Sequence, residues 1–524
     1  MHFSLIGWII IIASVTLSMF GGMFLGRYVN NVETFLIGGR QVRKFLLTTT
    51  GQATEVGIVA VMMMAQEAYV HGPVALSFTI VTMVAGLLTG LSGFCVYRLR
   101  QTEAITLGHY AQMRYGSKGF RIFTGIPLII AGVATIAMFP AALGMFLTYF
   151  MGLPEQVNLL GFMIRTPSLI SAIFVFVIIV YTLLAGSPGV IFADFFQFAM
   201  IWVGLIMIAL YIAKGSSWSG IVNTFDKIHG PDGFSTVKSS NYGIGWISFM
   251  FIQCLFGAIV WPPAVSRILS CKTPKVSNQM YLLTSLIQPG RIAVVTLAGL
   301  AAATVITTAQ LPAANKVLLG APSLAAMPIF ISTLLPPLVL AVFFAAMMCA
   351  EISNTDGYIL AWSGIATHDV IMPFITARIS EKQQVNINRL FVIAIGIAVF
   401  LWGIFFTLSE TLLTYIMLSG ATYTSGAAAF LVCGLYWKRA NKVGAWAGMS
   451  MGMLLPLTSM VMTGFVGVQF IPMKWVGILS YVLAFGGMIL GSLIGERITS
   501  VYTIAVVTSQ PKDIGKQLKA EMEI

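Results

Sequence analysis

Apolar runs of about 20 residues recur from one end of the chain to the other, separated by short polar stretches. A helix of that length crosses the hydrocarbon core of a bilayer. The pattern predicts an all-α integral membrane protein with thirteen spans. A leader over 4–26 precedes ten core spans near 45–73, 75–97, 121–150, 168–185, 190–213, 244–267, 280–306, 330–366, 389–407 and 411–436, and two more follow near 443–464 and 475–495. The run 312–335, which carries several prolines, is expected to form an external re-entrant or amphipathic helix. Residues 1–499 read as one polytopic membrane domain, with its core over 45–436, and 500–524 as a cytoplasmic tail.

The polar interruptions are as informative as the runs. The first core span contains Thr48, Thr49, Thr50, Gly51, Gln52, Ala53, Thr54, Glu55, Val56 and Gly57, and the sixth contains Gln253, Gly257, Trp261, Pro262 and Pro263. Paired prolines cannot complete a regular helix. Two broken helices, each opening one half of a ten-helix core, predict two inverted repeats of five with a solute site at the breaks. The eighth core span carries Glu351, Ser353, Asn354, Thr355 and Asp356 almost consecutively. Polar and ionisable groups at membrane depth face a partner, a cavity or an ion path. Glu55 lies at mid-span between two glycines and is read as functional.

Composition narrows the classes. With 58% hydrophobic and 9% charged residues, the chain falls outside the soluble range. The formal charge of +12 reflects basic loops and not nucleic acid, because Lys and Arg cluster between spans. Arg40, Arg43 and Lys44, then Arg98 to Arg121, Arg267 to Lys275, and Lys438 to Lys442 all fall on one side of a thirteen-span chain. The positive-inside rule then sets the N-terminus outside and the C-terminus in the cytoplasm. The first run lacks a basic leader segment and is read as a retained span. The five cysteines have no metal-ligand spacing, the five histidines form no cluster, and no P-loop, dinucleotide fingerprint or His-Glu-x-x-His occurs. No enzyme and no cofactor are expected.

Several stretches resemble the sodium:solute symporter family, in that family's order. Phe35–Arg40 (FLIGGR), Thr106–Gly116 (TLGHYAQMRYG), Gly186–Gln197 (GSPGVIFADFFQ) and Leu435–Gly448 (LYWKRANKVGAWAG) are similar to its motifs, with His109 in place of the usual acid and Ala193 in place of a threonine. On the eighth core span, Ala350, Ser353, Asn354, Asp356, Gly357, Tyr358, Ile359 and Leu360 match its small-x-x-Ser-Thr-x-Asp-Ser-Tyr-Leu-Leu signature.

The resemblance implies a sodium site between the first and eighth core helices, made by the carbonyls of Ala53, Val56 and Ala350 and the side chains of Ser353 and Asn354. Sodium, a hard cation, takes oxygen ligands. The position of Asn354 usually holds Ser or Thr, so an amide stands where a hydroxyl is expected. Glu55 resembles the position of an essential Asp in proline-type members, and Asp194 an acid tied in some members to a second sodium. Glu351, usually apolar in the family, stays open between a coupling acid and an acid satisfied by the backbone. Asp356 is expected to hold helix packing through a hydrogen bond. Gln66, Glu67, Gln253, Trp261 and Tyr423 are expected around the solute.

The implied activity is sodium-coupled uptake of a small organic solute, an amino acid or organic acid, by a monomeric, multi-pass carrier in the plasma membrane. Its partners are the solute, sodium and the lipid bilayer. Two rivals stay open: proton coupling in the same fold, motivated by Glu55, Glu67 and Glu351, and a transporter-like membrane sensor.

Overall fold

The computed structural model describes residues 3–27, 29, 31–159, 161–230, 235–238, 243–307, 322–375, 379–405, 412–468 and 471–498. The described helices cover the expected places, with 168–185 and 190–213 falling on one kinked helix. Nine helices among the described residues are long and apolar enough to cross a membrane, and a tenth span is a bent pair. The leader Leu5–Gly26 is capped by Ser4, whose Oγ accepts from Gly7 N–H at 3.1 Å. It leaves Leu5, Ile6, Leu17 and Phe20 exposed, as a lipid-facing helix does.

The first core span is broken as expected. Lys44–Thr54 ends at Glu55, Ile58–His71 begins after Gly57, and the two pieces meet at 59°. The sixth is broken too: Gly243–Val260 and Pro262–Ser270 flank Trp261, whose backbone is extended (φ −68°, ψ 131°). Pro262 and Pro263 start the second piece, where missing N–H groups cost nothing.

The second span is Val74–Ser92, and the third is Lys118–Ile136 continued by Met138–Met151. A short antiparallel hairpin pairs Gln156–Leu159 with Phe162–Arg165. The fourth and fifth spans form one 50-residue stretch, Thr166–Gly215, kinked at Gly186. Its φ of +57° lies in the region that glycine alone enters without steric cost.

The seventh span is Pro274–Thr307, the ninth Glu381–Phe405 and the tenth Leu412–Tyr436, followed by Lys442–Val461 and Met473–Ile498. These last two pack on each other and on the tenth.

Three features differ from expectation. The eighth span starts at Pro337 and not near 330, because Leu335 is extended and Pro336–Pro337 separates it from a distinct helix, Ala326–Leu334; residues 312–321, the earlier part of the expected external element, lie outside the described residues. It then runs from Pro337 to Ile365 and on through a π-helical turn to Ile371. An unforeseen helix, Trp218–His229, capped by Ser217, packs Ile221 and Phe225 against Ala68, Leu300 and Ala303. The tail 500–524 lies outside the described residues.

Candidate functional site

The break in the first core span lies against the eighth, and two side chains of the eighth join them. Glu351 Oε2 accepts from the Ile58 N–H at 2.8 Å, and its Oε1 accepts from Thr355 Oγ1 at 3.0 Å. The first N–H groups of a helix have no partner within it, and Gly57, the residue before Ile58, supplies no side-chain cap. A carboxylate from another helix therefore does the capping.

Asn354 completes the junction. With its amide turned so that donors meet acceptors, Nδ2 donates to the Thr54 carbonyl (2.9 Å) and Oδ1 accepts from the Gly57 N–H (3.1 Å). A Cβ on Gly57 would lie 1.8 Å from the end of the Asn354 amide, so only glycine fits there. Ala53, Val56, Ala350, Ser353 and Asn354 are all buried at this junction.

One turn away sits a second cluster, drawn from four spans. Asp194 accepts from Ser353 Oγ at 2.5 Å, from Thr50 Oγ1 and from Thr54 Oγ1 at 3.5 Å, and pairs with Arg267 Nη2 at 3.2 Å. Arg267 also donates to Thr54 Oγ1 at 3.0 Å. All of these groups are buried, which requires pairing. Ser353 directs its proton to Asp194, so its oxygen lone pairs are left for a cation. Asp356 is buried as well, near enough to Asp194 and Arg267 to feel both charges. Among the described residues neither of its carboxylate oxygens makes a well-formed hydrogen bond, contrary to expectation.

A cavity of about 280 Å³ lies at the first break, lined by Glu55, Gln253, Trp261, Tyr358, Arg291 and Asn354 among others. Of the five residues expected around the solute, Gln253 and Trp261 line it. Trp261 Nε1 donates to Tyr358 OH at 3.1 Å, and Tyr358 stacks on Trp362 with ring centroids 5.3 Å apart.

The other three lie elsewhere. Gln66 donates to Ser323 Oγ (2.9 Å) and accepts from Leu412 N–H (3.4 Å), while Glu67 pairs with His71 at 3.0 Å. Both sit on turns of Ile58–His71 beyond the cavity. Tyr423 lines a smaller cavity with Pro262, Gly364 and Asp369. Two residues were missed from the sequence: Arg267, read there as a loop charge but buried against Asp194 at 3.2 Å, and Arg291, mid-way along the seventh span, with Nη2 3.6 Å from Glu55 Oε2. An arginine inside an apolar run is itself the signal.

The Sodium:solute symporter family model matches residues 35–452. A sodium/proline symporter of Haemophilus influenzae is 24% identical over 458 residues, covering 83% of this chain and 85% of that protein. A sodium/pantothenate symporter of the same organism is 23% identical over 480 residues, covering 88% and 90%. Among solved structures, the substrate-bound outward-open state of a Na+-coupled sialic acid symporter superposes with a TM-score of 0.77, at 17% identity, over 94% of this chain and 98% of that one. MhsT in complex with L-phenylalanine gives 0.51 at 14% identity, over 86% and 97%. The chain thus shares the fold of that sialic acid symporter. With four-fifths of its length matched by the family model, the chain belongs to the sodium:solute symporter family.

Proposed function

We propose that this protein carries a small organic solute, an amino acid or organic acid, inward with sodium by alternating access. The observation that supports this most is the junction itself. A helix broken at Glu55–Gly57 is held to the eighth span by Glu351 and Asn354, and a cavity lies at the same break.

Sodium binds at the carbonyls of Ala53, Val56 and Ala350 and at Ser353 Oγ, and Asn354 ligates once its amide oxygen turns from the Gly57 N–H. Asp194, paired with Arg267 and close to Asp356, forms the place for a second cation. Gln253 and Trp261 contact the solute. Sodium favours the state in which the first and eighth spans are joined, and the solute binds that state better. Each ligand then raises the other's affinity by the same factor.

Thirteen crossings place the N-terminus outside and the tail inside the plasma membrane, with the monomer as the working unit and two inverted repeats of five as its core. Uptake of labelled amino acids and organic acids into proteoliposomes, driven by an inward sodium gradient at equal pH, tests the function. Uptake that needs the sodium gradient supports it; uptake driven by a pH gradient without sodium refutes it.

A further inference from the structure

We propose that Arg291 reads a carboxylate on the solute, and that the solute is a zwitterion held between Arg291 and Glu55. This rests on the reading of the 280 Å³ cavity as the solute site.

Arg291 lies in the middle of the apolar helix Pro274–Thr307, at a depth where a charge is retained only for a use. Its side chain is 9% exposed, while that of Glu55 is 45% exposed although it stands on a helix break inside the protein. The acid therefore faces the cavity. Their closest approach, 3.6 Å, is well beyond the roughly 2.7–2.9 Å of a tight charge-assisted bond. Both groups thus keep capacity for a third partner. Arg291 uses Nη1 on the Gln52 carbonyl at 3.0 Å, and a guanidinium has five N–H donors.

A second donor stands on the same wall. Gln253 Oε1 accepts from Tyr481 OH (2.7 Å) and Thr424 Oγ1 (3.2 Å). With its oxygen fixed by those two hydroxyls, Nε2 lies over Gly420 on the cavity wall. The remaining lining includes Val59, Met63, Phe139 and Trp261, which suit an apolar body.

Charge decides the class. A carboxylate on Arg291 and an ammonium on Glu55 match both charges. An anion alone draws Arg291 away and leaves Glu55 unpaired, a cation alone leaves Arg291 unpaired, and an uncharged solute leaves the two with only their long 3.6 Å contact to each other. The Arg291 bond to the Gln52 carbonyl lies one residue before Ala53, whose carbonyl is assigned to sodium. A carboxylate drawn to Arg291 therefore acts on the peptide next to the ion.

The test uses the purified full-length protein in nanodiscs with and without sodium. Binding is measured by thermal shift and calorimetry for two sets of probes: L-leucine, 3-methylbutylamine and 4-methylpentanoate; and L-proline, pyrrolidine and cyclopentanecarboxylate. D-glucose is the uncharged control. We expect at least one of the two amino acids to bind, with each of its one-charge analogues at least tenfold weaker. Arg291→Gln should weaken that amino acid at least tenfold, and Arg291→Lys less. The double variant Glu55→Gln/Arg291→Gln, which removes both charges and so keeps the site balanced, should lose the amino acid while sodium still raises its melting temperature. Binding of glucose in preference to both sets, or unchanged amino-acid affinity in Arg291→Gln, would overturn the proposal. Trp261→Ala separates the two levels. If it leaves amino-acid affinity intact, the cavity is not the solute site; if it weakens binding while Arg291→Gln does not, only the assignment to Arg291 fails.

Discussion

The carboxylate of Glu351 caps the helix that begins at Ile58, 2.8 Å from its backbone N–H and 293 residues away in sequence. Because the cap comes from the eighth core span, the break in the first cannot move away without exposing an unpaired helix end. Glu351 is therefore a positioning residue for the ion site. Loss of a cap costs ~1 kcal/mol, and loss of a hydrogen bond to a charged group ~1.5–3 kcal/mol. Glu351→Ala should lower the melting temperature and raise the sodium concentration for half-maximal uptake. Glu351→Gln, which keeps an acceptor, should do so less. Equal behaviour of the two variants and wild type in sodium titrations would show that the cap is idle.

Gly57 is a second test of the same junction. A methyl group there meets the Asn354 amide at 1.8 Å, and overpacking of this kind costs ~1–3 kcal/mol. Gly57→Ala should abolish sodium-dependent uptake. Adding Asn354→Ser, which shortens the opposing side chain and introduces a hydroxyl, should restore part of it. No recovery in the double variant would mean that the methyl group acts on something other than Asn354.

The Asp194–Arg267 pair is buried on both sides, with side chains 0% and 6% exposed. Removing one partner of such a pair costs ~3–5 kcal/mol because the other charge is stranded. Asp194→Asn and Arg267→Gln should each lower thermal stability more than the double variant does. Additive losses in the cycle would show that the two do not work as a pair.

Near the connecting helix Leu107–Tyr115, Asp369 Oδ1 accepts from Thr106 Oγ1 (2.6 Å) and from Arg121 Nε (2.9 Å). His109 lies in this region with its Nδ1 accepting from Ile105 N–H at 3.3 Å. Burial, followed by the charges of Arg121 and Arg40, pushes its pKa down to about 4. A histidine whose folded pKa is below its unfolded value is stabilising while neutral. That contribution is full above pH ~6.5 and falls as the pH drops toward 4. The melting temperature of wild type should decline over that window more steeply than that of His109→Gln. Parallel curves for the two proteins would remove His109 from the acid response.

Much of this was legible in the sequence because bilayer-length apolar runs and helix breakers are local signals. The breaks at Glu55–Gly57 and Trp261, and the kink at Gly186, follow from glycine and proline placement alone. Direction within a span was harder to read. Gln66 and Glu67 stand on a helix with few polar neighbours to fix its phase, and they turn toward Ser323, Leu412 and His71 instead of the cavity. Tyr423 faces the smaller cavity, its helix having polar residues on both sides of it (Thr422 and Thr424) that leave its direction open in the sequence. Glu351 could not be assigned because its partner is a backbone N–H, which carries no sequence signature. Trp218–His229 is too short and polar to stand out against its neighbours, although Ile221 and Phe225 at four-residue spacing mark its buried face.

The central claim is that sodium, bound between the first and eighth core spans, drives uptake, and the side-chain ligand that can be removed most cleanly is Ser353. Losing one oxygen from a buried cation removes a charge-assisted contact of ~1.5–3 kcal/mol, or about 10- to 150-fold in affinity. The deciding measurement is the sodium concentration for half-maximal solute uptake at clamped pH, in wild type and Ser353→Ala. It should rise by that factor in the variant, with a smaller change in solute affinity at saturating sodium. An unchanged sodium response in Ser353→Ala would contradict the site and the coupling built on it.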